Sequence, residues 1–246
     1  MVTYKVGYFV GSLSSTSINR LLAKALGRLA PPELVLNEIP IKDLPLYSPD
    51  FDADYPPVAR ALKQSIADVD AVLFVTPEYN RSIPGGLKNA IDWASRPWGK
   101  NSFARKPTGV IGTSPGAIGT AVAQQSLRGV LCYCNSPLMN QVEAYIQFKP
   151  GLITANGEVT DEPTQEFLRN YMVTVLGEYI DHHVKEEEGE MFSKARQADI
   201  DSELLGEELV IRKAELKEEL GIVEDESVAG KSTAAGRKSK PSSARK

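Results

Sequence analysis

The sequence is poor in the residues on which protein-borne chemistry usually depends. It has two cysteines, Cys132 and Cys134. Their C-Y-C spacing is too close for a zinc or thioredoxin-type motif, and two thiols make no disulfide framework. Both are expected to be reduced and to lie in or near the core. It also has two histidines, His182 and His183, adjacent and late in the chain. Neighbouring residues point to different faces of a helix, so a shared metal is not expected. No earlier histidine is available to a Ser/His or Cys/His mechanism. No stretch approaches the roughly 18 apolar residues of a membrane span, and no basic, apolar, small-residue leader precedes the first strand-like segment. The expectation is a cytoplasmic protein without a membrane partner. Lys and Arg number 28 against 32 Asp and Glu, a net charge of −4, which gives no global basic field to draw in nucleic acid.

Glycine is also scarce where phosphate motifs require it. The first hydroxyl-rich loop, residues 11–17, contains Gly11 alone, whereas a dinucleotide fingerprint needs three glycines, and no G-K-[ST] closes a P-loop. What the loop does contain is Ser12, Ser14, Ser15, Thr16 and Ser17. It follows an apolar strand pattern at Tyr4–Val10 and precedes a helical pattern beginning at Ile18 and Asn19. Hydroxyls and backbone N–H groups at a helix start suit an anion without any lysine; equally, they suit a plain N-cap.

The 246 residues are 42% hydrophobic and 24% charged, enough for one core-forming domain with additions. After the first helix, Glu33–Ile39 reads as a strand. A proline- and aromatic-rich connector, Pro40–Pro57, is long enough to fold over something. Val58–Val69 has helical spacing, and Asp70–Val75 is a buried strand. The most distinctive stretch follows, Val72–Asp92. Its strand breaks at Thr76-Pro77 into Glu78, Tyr79, Asn80, Arg81 and Ser82, then resumes as a helix with Leu87, Ala90, Ile91 and Ala94 on one face. Open α/β sheets place ligands at such strand ends. Pro107–Thr113 is a fourth strand, ending in Ser114-Pro115-Gly116-Ala117-Ile118-Gly119-Thr120 before a helix over Ala121–Leu131. Ser136–Gln141 is read as the fifth strand, Ala155-Asn156-Gly157 as a hairpin-like turn, and Thr164–Glu186 as the last core helix.

Strands alternating with helices imply a parallel sheet covered on both faces. The loops 11–18, 76–84 and 113–120 then meet at its carboxyl edge, the first suited to a phosphate and the others to a flat polar ring. Such a set describes a mononucleotide site in which a cofactor carries the reaction. Beyond this domain (1–188), residues 189–226 read as an acidic helical extension. Residues 227–246, rich in Lys, Arg and Ser with almost no apolar side chain, read as a disordered tail.

The pattern G-S-L…S-x-N-R at Gly11–Arg20, with P-E-Y-N-x-S-x-P-G-x-L-K-N-A-I-D-W at Pro77–Trp93, resembles the NADPH-dependent FMN reductases among flavodoxin-like proteins. That group includes bacterial quinone, chromate and azo-dye reductases. The resemblance implies an α/β three-layer sandwich whose five-stranded parallel sheet has the order 2-1-3-4-5. It also implies bound FMN, NADPH or NADH as co-substrate, and a homodimer or homotetramer. By position, Ser12, Ser14, Ser17, Ile18 and Asn19 match the phosphate loop. Pro77, Glu78, Tyr79, Asn80 and Ser82 match the segment along the flavin ring, and Ser114, Gly116 and Gly119 match the third loop. Many members carry arginine where this chain has Ser14, which lessens charge-assisted recognition there and leaves the choice between NADH and NADPH open. The implied activity is ping-pong reduction of a small-molecule electron acceptor: a quinone, free flavin, azo compound or chromate. The alternative is an FMN-binding electron carrier or interaction protein without that activity.

Overall fold

In the computed structural model, residues 3–175 and 177 are described; the acidic extension, the basic tail and both histidines lie outside them. Five strands form one parallel sheet: β1 (Tyr4–Val10), β2 (Leu34–Glu38), β3 (Ala71–Val75), β4 (Thr108–Ser114) and β5 (Tyr145–Gln147). Their spatial order is β2-β1-β3-β4-β5, the order the resemblance implied. The helices between them are α1 (Ile18–Leu29), α2 (Pro57–Ala67), α3 (Gly85–Ser95) and α4 (Ala121–Tyr133), with a last described helix over 162–175.

Side chains alternate across each strand, which divides the core in two. On one face, Val6 and Val10 of β1 and Leu73 and Val75 of β3 pack with Leu22 and Leu26 of α1 and with Leu168 and Tyr171 of the last helix. On the other, Phe9, Val72, Phe74 and Val110 meet Leu62 and Ile66 of α2, Leu87 and Ile91 of α3, and Leu127 of α4. All five residues of β3 are buried, as a central parallel strand covered on both faces requires. Each fully buried Leu, Ile or Phe contributes roughly 1.5–3 kcal/mol relative to exposure, so the two clusters fix the layers and, with them, the carboxyl edge.

The connector between β2 and α2 folds over Trp93 of α3. Tyr47, Phe51 and Tyr55 surround that indole with ring centroids at 5.2, 5.5 and 5.1 Å, and its Nε1 donates to the carbonyl of Pro45 at 2.7 Å. Trp93 is fully buried. The connector's aromatics thus anchor the helix that follows the second loop, while Leu46 stays 83% exposed.

The fifth strand lies elsewhere than Ser136–Gln141. That segment makes a single bridge to the sheet, Leu138 against Thr108, and pairing resumes only at Tyr145 against Gly112. Pro137 supplies no N–H, and Val142 has a φ of 62°, a left-handed turn that throws the chain off the ladder. The edge strand is therefore broken, and its paired part is Tyr145–Gln147. The turn at Ala155-Asn156-Gly157 is present: Thr154 N donates to Glu158 O at 2.9 Å, and Gly157 takes a φ of 82°. Cys134 is buried, whereas Cys132 is exposed on α4 rather than in the core; both are free thiols. Residues 132 and 134 are two apart, so the end of α4 turns one inward and the other outward.

Candidate functional site

Beyond the carboxyl ends of β1, β3 and β4, the three loops enclose a cavity of about 220 Å³. The first loop lines it with Ser12, Ser14, Ser17, Ile18 and Asn19, the second with Pro77, Glu78 and Tyr79, and the third with Ser114. Asn80, Ser82, Gly116 and Gly119 lie outside that lining. Three further lining residues, Thr16, Thr113 and Pro115, were within the loops read from the sequence but not singled out. Thr16 sits in the same hydroxyl run as its neighbours and was the most findable of them.

The first loop is shaped by its own hydroxyls. Ser14 Oγ accepts from Thr16 N at 3.2 Å, and Ser12 Oγ accepts from Ser14 N at 3.3 Å. Ser17 caps α1, its Oγ accepting from Arg20 N at 3.3 Å. The N–H groups of Ser15, Ile18 and Asn19 have no acceptor among the described residues. Unpaired amides at a helix start, beside short hydroxyl side chains, are what a phosphate needs. The plain N-cap is present too: Ser17 caps the helix, and the amides before and after it remain open.

Asn19 has a structural duty. It is 1% exposed; its Nδ2 donates to Thr113 O at 2.9 Å and its Oδ1 accepts from Thr113 N at 3.0 Å. The start of α1 is thereby pinned to the end of β4. Thr113 Oγ1 continues the chain of bonds to Ile146 O of β5 at 2.9 Å.

Glu78 makes the second tie. One carboxylate oxygen accepts from the backbone N–H groups of Val122 and Ala123, each at 3.1 Å. The other accepts from the Arg81 guanidinium at 3.2 Å. Thr120, at the N-cap of α4, makes no side-chain capping bond, so a carboxylate from a different loop caps this helix and meets its positive dipole end. With its side chain 10% exposed and both oxygens engaged, Glu78 acts as a brace.

Between Tyr79 and Ser82 the chain makes a two-residue turn. Tyr79 N donates to Ser82 O at 2.9 Å and Ser82 N to Tyr79 O at 3.0 Å, and Asn80 and Arg81 take φ values of 52° and 64°. Consecutive positive φ values are those of a type I′ turn, in which Asn is favoured at the first position. The turn sets Tyr79 upright, half exposed, with its hydroxyl 3.4 Å from Ser12 Oγ. It leaves the N–H groups of Glu78, Asn80 and Arg81 without acceptors among the described residues. Ser82 Oγ instead lies 3.3 Å from Ser126 Oγ on α4.

In the third loop, Gly116 N donates to Ser114 Oγ at 3.1 Å, closing a small turn. Gly119 is needed for packing: at φ 59°, a Cβ there would stand 2.8 Å from the Tyr145 carbonyl carbon and 2.9 Å from Ile146 N. The close approach at Gly119 is therefore to β5. Among the described residues no group of His, Cys, Asp and Glu is arranged to hold a metal.

Residues 4–151 match the family described as NADPH-dependent FMN reductase. A 2-hydroxy-1,4-benzoquinone reductase from a Burkholderia species is 54% identical over 168 residues, 68% of this chain and 92% of that protein. A quinone reductase from Pseudomonas putida is 46% identical over 170 residues, 69% of this chain and 91% of that protein. Among solved structures, FerB, a flavoenzyme NAD(P)H:(acceptor) oxidoreductase from Paracoccus denitrificans, superposes with a TM-score of 0.71 at 46% identity, covering 73% of this chain and 99% of that one.

Proposed function

This chain belongs to the NADPH-dependent FMN reductase family, and we propose that it is an FMN-dependent NAD(P)H oxidoreductase whose acceptors include quinones. The observation that carries this reading is the way the three loops are bound to one another. Asn19 joins the first to the third and Glu78 joins the second to the third, while amides in the first and second loops stay free. The site is braced without using the groups a mononucleotide would need.

FMN fits these residues. Its phosphate would take the amides of Ser15, Ile18 and Asn19 with the hydroxyls of Ser12, Ser14 and Ser17. Its ring would lie along Pro77, Glu78, Tyr79 and Asn80, with Ser114 and Gly116 at the far edge. When bound, it supplies the two-electron chemistry between NAD(P)H and the acceptor. The chain's part is to bind, orient and stabilise charge. The open amides of the second loop would meet negative charge on the ring as backbone donors do in oxyanion holes. Because the carboxylate of Glu78 is committed to α4 and Arg81, it would serve as a brace and not as a proton-transfer group. Co-substrate and acceptor would use the same space in turn, a ping-pong order, and the acceptor range would extend to free flavin, azo compounds and chromate. Dimeric or tetrameric assembly and a cytoplasmic location belong to the same proposal.

The test is spectroscopic. The purified chain should be yellow with flavin absorbance, should bleach anaerobically on addition of NADH or NADPH, and should recover its colour on addition of benzoquinone. Absence of retained or bindable flavin defeats the reading. Flavin that neither nucleotide bleaches would make the protein a carrier instead.

A further inference from the structure

A second cavity, of about 720 Å³, lies against the outer side of the third loop. Hydrogen bonds tie the linings of the two cavities together. Ser114 and Pro115 line the first, and Gln147, which lines the second, donates from Nε2 to Pro115 O at 3.3 Å. Beside it, Phe148 N donates to Ser114 O at 2.8 Å. The second cavity opens where β5 ends at Gln147 and the chain turns back through residues 149–152 towards the start of the last helix. Its volume is in the range of small-molecule sites, whereas the first cavity has too little room for a flavin nucleotide and a whole dinucleotide together.

The chemistry of the second cavity is specific. Tyr145 and Phe167 contribute rings. The Tyr145 hydroxyl is fixed by Gln125 Nε2 at 3.2 Å, which holds the ring in place. The backbone carbonyl of Lys149 accepts from Leu152 N at 3.0 Å, whereas its exposed side chain makes no hydrogen bond or ion pair among the described residues and acts on Asp161 only through its charge. Two carboxylates complete the lining. Glu143 accepts from Gln125 Nε2 at 3.2 Å. Asp161 accepts from Thr164 N at 3.0 Å and from Thr164 Oγ1 at 2.6 Å; these bonds hold its carboxyl below the usual range, so it is charged at neutral pH. Rings to stack a purine, a lysine for a phosphate and carboxylates to accept from ribose hydroxyls make up a nucleotide subsite.

We propose that this cavity takes the adenosine end of the reducing dinucleotide and that its two carboxylates select NADH over NADPH. The assignment rests on the reductase reading above. With a nicotinamide at the flavin, the rest of its dinucleotide would pass Ser114 and Pro115 into the second cavity, where Lys149 is the lining cation available to the diphosphate. The extra 2′-phosphate of NADPH would bring two or nearly two negative charges to a pocket holding two carboxylates and one lysine. A site for that phosphate calls for an arginine at the ribose, and a carboxylate there favours the free 2′-hydroxyl.

The test uses the full chain loaded with FMN and 5′-AMP as the probe. Titration followed by amide chemical shifts should move Tyr145, Gln147 and Lys149, with 2′,5′-ADP binding more weakly. Lys149→Ala should weaken 5′-AMP and raise the KM for NADH about fivefold, the size of a partly exposed charge contact, with FMN affinity unchanged. Glu143→Gln keeps the side chain's shape and should narrow the NADH preference by a similar factor. Shifts confined to other surfaces, unchanged 5′-AMP affinity in Lys149→Ala, or a wild-type preference for NADPH would each overturn the assignment. A chain that holds no flavin overturns the reductase reading and this assignment with it. A chain bleached by NADH whose cavity ignores 5′-AMP overturns this assignment alone.

Discussion

Asn19 and Thr113 meet in a two-point contact across the sheet edge, Nδ2 to Thr113 O at 2.9 Å and Thr113 N to Oδ1 at 3.0 Å. Both partners are buried, so neither backbone group has water to fall back on. Asn19→Ala would leave a buried donor and a buried acceptor unpaired, at a cost of about 2–4 kcal/mol for the two together. Because the same contact holds the phosphate-facing loop, FMN affinity should fall as well. Asn19→Asp should be no better, since it sets a carboxylate oxygen against the Thr113 carbonyl. Urea denaturation of the apo-protein and titration with FMN read the two effects separately. Full retention of both in Asn19→Ala would remove the contact from its bracing role.

Glu78 is expected to matter for order and little for proton transfer. Glu78→Ala removes the cap on Val122 N and Ala123 N and should destabilise the fold by about 1–2 kcal/mol. Glu78→Gln keeps an acceptor oxygen for the two amides but loses the charge at the helix end and the acceptor for Arg81, so it should recover part of that. The pH profile of kcat with NADH should keep its shape in both variants. A profile that loses one limb in Glu78→Gln would show a proton-transfer role and contradict the brace.

The sheet and its order were legible because strand and helix periodicities in this chain are clean and because the Pro77–Trp93 motif is specific. The roles of individual site residues were less so. The resemblance places Asn19, Glu78 and Gly119 at the cofactor; the structure adds that the side chains of the first two brace Thr113 and α4 and that the bareness of Gly119 admits β5. Sequence spacing locates a loop at a sheet edge; it carries no information on which partner 40 to 90 positions away satisfies a buried side chain. The fifth strand shows the same limit. Ser136–Gln141 has a strand's length and apolar content, yet Pro137 and the left-handed Val142 take most of it off the ladder. The connector's aromatics, by contrast, were read as folding over something, and Trp93 is what they fold over.

Gly112 should tolerate no side chain. A Cβ there would stand 2.1 Å from Thr76 O and 2.2 Å from Thr120 Oγ1. The first of these is backbone of the second loop's entry, so it cannot swing aside. Gly112→Ala should cost about 3 kcal/mol through forced backbone displacement. It should also spread the second and third loops apart, weakening FMN more than Gly129→Ala does. Position 129 lies on α4 with nothing within 4 Å of the added carbon, and alanine is the better helix former there. Thermal unfolding of the two variants side by side checks this; equal melting temperatures would show that the sheet edge yields more easily than the distances allow.

Lys63 gives the fold a pH dependence of unusual sign. Its ammonium donates to the carbonyls of Ala94 at 2.9 Å, Arg96 at 2.6 Å and Lys100 at 2.6 Å, and lies 5.9 Å from the centre of the Tyr55 ring. Burial lowers its pKa from 10.5 to about 8, with Asp52 opposing the shift. The unfolded chain, where the lysine is solvated, therefore holds this proton to higher pH than the folded chain does. Wherever the unfolded state binds more protons, stability rises with pH, so Lys63 contributes a rising slope beginning near pH 8 and ending near the unfolded value. Tyr55 and Tyr171 act oppositely. Burial raises both hydroxyls, so the folded chain keeps protons that unfolded tyrosines release near pH 10, and stability falls there. The Cys134 thiol, also raised by burial, opposes the rise from about pH 8.5, so the Lys63 slope is read between pH 8 and about 9.5 as the difference between the wild-type chain and one lacking the lysine. Lys63→Met should be less stable at every pH, because three carbonyls lose their donor, but its stability should be flatter across this window. Denaturation curves at half-unit pH intervals separate the level from the slope, and parallel slopes for the two proteins would show that the buried ammonium keeps its proton throughout.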